Sequence, residues 1–97
     1  MKIVSMKEYY EVQSKFVSKH EHEISKVERS PFTDNQWHKT YLCEDGALGT
    51  EINRIVYEQV EVEVKGLKVK VEVKLLETEW FDTDNGTSTF MYQKYYD

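Results

Sequence analysis

The spacing of apolar positions changes along the chain, and each change marks an element. Over the first thirty residues the pattern is helical. Met6, Tyr9, Tyr10, Gln13, Phe16, Val17, His20, Ile24 and Val27 fall on one side at about 100° per residue, with Glu8, Glu11, Lys15, Lys19, His22 and Lys26 on the other. Ser5 stands three residues before Glu8, the spacing at which a serine hydroxyl accepts from the free backbone N–H groups of a helix start. These features predict an amphipathic helix from Ser5 to near Ser30. Pro31 ends it, because it lacks a helical N–H and disfavours the α conformation in the residue before it. Residues Met1 to Val4 predict a short extra strand.

After a polar link, FTDNQ, the period becomes two. WHKTYLC (37–43) reads as a strand, and Glu44-Asp45-Gly46-Ala47 as a hairpin turn, since Asp-Gly between β-prone runs supplies the left-handed backbone that tight turns need. Residues 48–64 read as a second, longer strand, bent around Asn53 to Val56 where the alternation falters.

In VYEQVEVEVKGLKVKVEVKLLETEWF (56–81) valine alternates with charge on both sides of one glycine. With Lys65-Gly66 as a two-residue loop, Val64 faces Leu67, Val62 faces Val69 and Val60 faces Val71, while Glu63 faces Lys68 and Glu61 faces Lys70. A four-residue loop sets Glu61 against Glu72, and directly opposed like charges destabilise a sheet. The charges therefore select the tight turn. Asn85-Gly86 predicts another two-residue turn, with Phe81 against Phe90, Trp80 against Met91 and Glu77 against Lys94. Leu75-Leu76 breaks the alternation and reads as a bulge or bend that hands the buried face from odd to even positions, so that Leu76, Thr78 and Trp80 continue inward.

The fold expected is α+β over residues 1–97 as a single domain: the N-terminal amphipathic helix packed on one face of a four-stranded antiparallel β-meander. The helix stripe covers Val60, Val62, Val64, Leu67, Val69, Val71 and Val73. With the extra strand at Met1–Val4 the order of elements resembles that of cystatin-like folds, without their inhibitory-loop motif, and a likeness of fold carries no function.

Composition narrows the function. Eighteen acidic residues against thirteen basic ones leave a formal charge of −5, which opposes nucleic acid and anionic lipid and favours basic protein partners. Cys43 is the only cysteine, and no apolar run suits a signal peptide or a membrane span, so the chain is expected to be cytoplasmic and free of disulfides. In KHEHE (19–23), His20 and His22 point about 200° apart on a helix and cannot chelate one ion. His20, within the apolar stripe, suits a hydrogen-bonded core histidine. His38 and Cys43 fall on opposite faces of one strand, whereas His20 and Cys43 could meet across the core. No phosphate loop or close carboxylate pair stands outside the charge ladders. No enzymatic activity, metal or cofactor is expected.

The aromatics carry the functional expectation. Trp80, Phe81, Phe90, Tyr92, Tyr95 and Tyr96 crowd into the last two strands, and one helix covers only one sheet face. Tyr and Trp are frequent interface anchors, so Trp80, Tyr92, Tyr95 and Tyr96 form the candidate protein-binding site. The expected function is a small acidic protein-binding module, in form an inhibitor such as phages or mobile elements carry against a basic, nucleic-acid-binding defence nuclease. The alternative is a ligand-binding or catalytic domain with His20 and Cys43 lining a helix–sheet pocket. A homodimer through an edge strand is a further option, which Lys39 and Lys94 oppose.

Overall fold

A computed structural model describes residues 2–95. The architecture is α+β, with one N-terminal helix and a six-stranded mixed sheet in the order β1-β6-β5-β4-β3-β2. The elements are β1 (Lys2–Ile3), α1 (Met6–Lys19), β2 (Lys26–Thr33), β3 (Gln36–Cys43), β4 (Gly46–Val64), β5 (Leu67–Asp82) and β6 (Thr87–Lys94). The expected four-stranded meander is present as β3 to β6. It is extended by β2 at one edge and by β1, parallel to β6, at the other.

The helix begins where its cap predicts. The Ser5 hydroxyl accepts from the Glu8 N–H at 3.1 Å. It ends far earlier than Ser30, at Lys19, with His20 as C-cap and its N–H bonded to Phe16 O. The ring of His20 is held between Glu23 and Asp84, each 3.1 Å away, and the polar run Glu21-His22-Glu23 offers a further helical turn nothing to bury. Residues 26–33 form a strand instead. Thr33-Asp34-Asn35-Gln36 closes a tight hairpin, with Thr33 paired to Gln36 and the Asn35 N–H bonded to the Thr33 hydroxyl. Pro31, expected to stop a helix, lies in the edge strand, where proline is tolerated because a missing N–H interrupts no inner ladder. The i, i+3 spacing of Ile24 and Val27 suits a helix, but Ile24 precedes β2 and Val27 lies within it, paired with Tyr41.

The Lys65-Gly66 hairpin has the expected register throughout: Val64 against Leu67, Val62 against Val69, Val60 against Val71, Glu63 against Lys68, Glu61 against Lys70. Both turn residues have positive φ, 50° and 78°, as a two-residue turn matched to strand twist demands. The last turn differs. Asp82 pairs with Thr87, so the loop holds four residues and the register moves by two, setting Phe81 against Ser88, Trp80 against Thr89 and Glu77 against Tyr92. The cause is Asp82. Its Oδ1 accepts from the N–H groups of Asp84 and Asn85, its Oδ2 from the Asn85 side chain, and its carbonyl from the Gly86 N–H. These bonds satisfy a wider loop that leaves only Gly86 in the left-handed region, at φ 63°.

The core lies between α1 and one sheet face: Tyr9, Phe16, Tyr41, Leu48, Trp80 and Met91, flanked by Val4, Val12, Val17, Ile24 and Cys43. Leu48 enters it through a bulge, for Tyr41 pairs with Gly49 and Leu42 with Ala47. A Cβ on Gly49 would stand 2.7 Å from the Trp80 ring, so the indole occupies the space a side chain would need.

The valine ladder is not part of this core. Pairing runs from Gly49–Asp82 to Val64–Leu67 without a register shift, so no bulge occurs at Leu75-Leu76. Strand alternation then puts Val60, Val62, Val64, Leu67, Val69, Val71 and Val73 on the face opposite Trp80 and Thr78. What looked like a bend is a change in which face of a straight ladder is apolar. Reach forbids coverage as well, since the 14 helical residues span about 21 Å whereas the molecule is 58 Å long. The radius of gyration, 16.7 Å, exceeds the roughly 12 to 13 Å of a compact chain of this length. The excess comes from a two-stranded arm.

Candidate docking surface

The arm begins where both flanking strands end. β3 pairs no further along β4 than Arg54, and β6 pairs no further along β5 than Leu75. Beyond these points, among the described residues, Tyr57–Val64 and Leu67–Lys74 pair with each other and with no third strand, the one further backbone bond being from the Tyr95 N–H to Lys74 O. An isolated two-stranded ribbon is marginal in water, because it has little to bury its apolar side against. This ribbon leaves that side open: Leu67 is 70% exposed, Val64 50%, Val69 42%, Val71 41% and Val62 38%. Its other side carries Gln59, Glu61, Glu63, Lys68, Lys70 and Glu72, where Lys68 Nζ lies 3.7 Å from Glu61 and Gln59 donates to Glu72. The apolar side holds one charge, Glu58, in the five cross-strand pairs from Val56–Leu75 to Val64–Leu67.

At the root of the arm the same face changes character. Arg54 Nη1 donates to Glu77 at 2.9 Å and to Glu79 at 2.8 Å. Tyr92 donates to the remaining oxygen of Glu77, and Ser88 to that of Glu79. Partial burial of the guanidinium favours its neutral form, but the bonds to Glu79 and Glu77 outweigh this and raise its proton affinity above the ordinary value. The Tyr92 phenol is pushed up to about 12, first by its bond to Glu77, then by burial. On the helix side a second carboxylate gathers donors: Glu51 Oε2 accepts from Tyr9 at 3.0 Å and Gln13 at 2.7 Å, while Asn53 donates to Oε1 and accepts from Thr78. Burial and Glu51 together drive the Tyr9 phenol far above its usual range. Both clusters are structural ties between elements.

The four residues expected to form a binding site are not brought together. Trp80 is 1% exposed, packed edge-on against Phe16 and Tyr41; it belongs to the core, and a ring this buried presents no surface. Tyr92 is exposed on the valine side of the sheet. Tyr95 stands on the other side, its N–H bonded to Lys74 O and its ring under the Lys74 ammonium. Tyr96 lies outside the described residues. His20 and Cys43 also separate. His20 edges an open cleft of about 270 Å³ with Lys15, Lys19, Trp80 and Asp82, and Cys43 another of about 420 Å³ with His22, Ser25 and Asp45. His20 is the hydrogen-bonded, buried histidine expected, its ring packed at a tilt against Phe16 with centroids 4.4 Å apart.

Sequence reasoning listed every arm valine and misplaced the face. The available signal was parity: Trp80 and Thr78 are even and the valines of β5 odd, so an unbroken strand separates them. Arg54, the one basic residue of the faltering stretch, and the like-faced pair Glu77 and Glu79 were the signal for the root cluster. Among the described residues no helix is long and apolar enough to cross a membrane. Compared with protein-family models, curated proteins and solved structures, the chain matches none.

Proposed function

We propose that this chain is a protein-binding module whose docking surface is the apolar face of the β4–β5 arm, with Tyr92 at its root. The observation that carries the reading is a row of aliphatic side chains 38 to 70% exposed on a ribbon over which, among the described residues, no third layer packs. Patches of a few hundred Å² are uncommon on monomers without a role, and covering this one supplies the burial that the arm lacks. Apart from Glu58 the face is aliphatic, which makes the contact itself apolar, while the formal charge of −5 on the whole chain sets which partners approach fastest, basic ones first. An acidic exterior around an apolar dock also suits a chain that covers the surface of a basic, nucleic-acid-binding enzyme.

The test is affinity capture from the native cell with wild-type chain, Val69→Glu and Glu61→Gln. A partner retained by wild type and by the Glu61 variant, and lost with Val69→Glu, is the expected result. A partner that all three variants hold equally well places the docking surface elsewhere.

A further inference from the structure

Resting on the docking-surface reading, we infer that the occupant of the arm is a second copy of this chain, with two arms packed face to face and antiparallel about a two-fold axis. Symmetry sets the first condition, because an isologous patch must accept itself. A charged patch meets its own sign. This one is neutral over its valines and leucine, and flat β-branched faces pack on one another at about 10 Å as the two layers of a sandwich do.

The register follows from the charges at the two ends of the patch. With the axis through the Val60–Val71 pair, Val62–Val69 of one copy overlies Glu58–Val73 of the other, and the Val64–Leu67 tip overlies Val56–Leu75. Glu58 is exposed on a ribbon only two strands wide, so its side chain reaches water at the rim. One step further, the Lys65-Gly66 turn of each copy arrives over Arg54 and Glu77. There Arg54 is shared by Glu77 and Glu79, which leaves one negative charge in excess for the Lys65 ammonium. The parallel alternative, tip over tip, stacks the two acidic roots on each other and both Lys65 side chains together. Charge complementarity therefore selects the antiparallel arrangement. Area makes the pairing a weak one: the exposed fractions of these five side chains amount to roughly 400 Å² per copy, and two such faces bury about 800 Å², the size of a weak, concentration-dependent contact.

The experiment is sedimentation of the full chain across a concentration series, with a cysteine pairing test in a Cys43→Ser background. A concentration-dependent dimer is expected, absent in Val69→Glu, about tenfold weaker in Lys65→Glu and unchanged in Glu61→Gln, with far-UV circular dichroism confirming that each variant folds. Val71→Cys should couple to itself, and Leu67→Cys should couple to Leu75→Cys in a mixture but not to itself. Coupling of Leu67→Cys to itself overturns the antiparallel register. A wild-type chain that stays monomeric at every concentration overturns self-association. In that event a cellular partner lost with Val69→Glu leaves the docking surface standing, and the absence of any such partner removes both.

Discussion

Replacing Arg54 with methionine tests whether the root of the arm is held by charge. The substitution keeps much of the side chain's length and removes the donors to Glu77 and Glu79. The arginine is 30% exposed and the two carboxylates 17% and 13%, so the pair is less costly to break than a fully buried one at about 3 to 5 kcal/mol. Two lost charge-assisted bonds, discounted for water that reaches the site, give about 1 to 2 kcal/mol. The two Oε1 atoms that shared Nη1, at 2.9 and 2.8 Å, then face each other uncompensated at about 5 to 6 Å, which adds roughly 0.7 kcal/mol in a water-like medium. The total, about 2 to 3 kcal/mol, lowers the melting temperature of a chain this size by roughly 10 to 20 °C. Thermal melts at neutral pH and low salt measure it. Arg54→Met with Glu77→Gln and Glu79→Gln should recover at least half of the loss, because the stranded charges go with the cation. A single variant within 0.5 °C of wild type, or a triple variant no better than the single, refutes the argument that these carboxylates need Arg54.

Gly49→Ala should cost about 1 to 3 kcal/mol, since its new methyl meets Trp80 at 2.7 Å and Phe16 at 3.1 Å; a chemical melt together with the near-ultraviolet dichroism of Trp80 reports it. Glu61→Lys should cost only about 0.2 to 1 kcal/mol, and adding Lys70→Glu should return most of it, as directly opposed exposed residues do; additive losses in a denaturant series contradict the pairing. For Tyr92 the folded phenol titrates at about 12 and the unfolded one at 10.0, so its contribution to stability is present below pH 10 and is lost as the pH rises through about 12. Absorbance at 295 nm should lose a late-titrating step in Tyr92→Phe, and that variant should show a shallower fall in stability between those pH values.

What was legible in the sequence was local. The Ser5–Glu8 cap and the Lys65-Gly66 turn each depend on residues a few places apart, and opposed Glu–Lys pairs left one register for the arm. The turn at Asn85-Gly86 was misread by two residues because the deciding group is the Asp82 carboxylate, which stands outside the dipeptide and satisfies the loop's N–H groups itself. The helix end was misread because His20 is fixed by Asp84, more than sixty residues away, and pairing with β3 claims the residues that follow. The face of the valine ladder required knowing where the helix lands. Its periodicity is the same whether something covers it or not, so alternation identified the strip and could not say that it stands open. The tyrosines show the same limit, since composition grouped Trp80 with Tyr92 and the pleat placed them on opposite sides.

The connectivity of the sheet has a consequence for how the chain is made. Each antiparallel pair joins strands adjacent in sequence, so β2 to β6 can zip together hairpin by hairpin as they emerge. The N-terminus cannot take part. Ile3 pairs with Phe90, Val4 bonds to Phe90 O, and Phe16 packs on Trp80, so β1 and α1 wait for β5 and β6 to follow them. The 87 positions between Ile3 and Phe90 take about 4 to 17 s to translate at 5 to 20 residues per second. Through that interval the core that Tyr9, Phe16 and Trp80 share lacks Met91. The step most open to aggregation is thus the docking of a finished helix onto a sheet completed behind it, and slowing translation over β6 lengthens it.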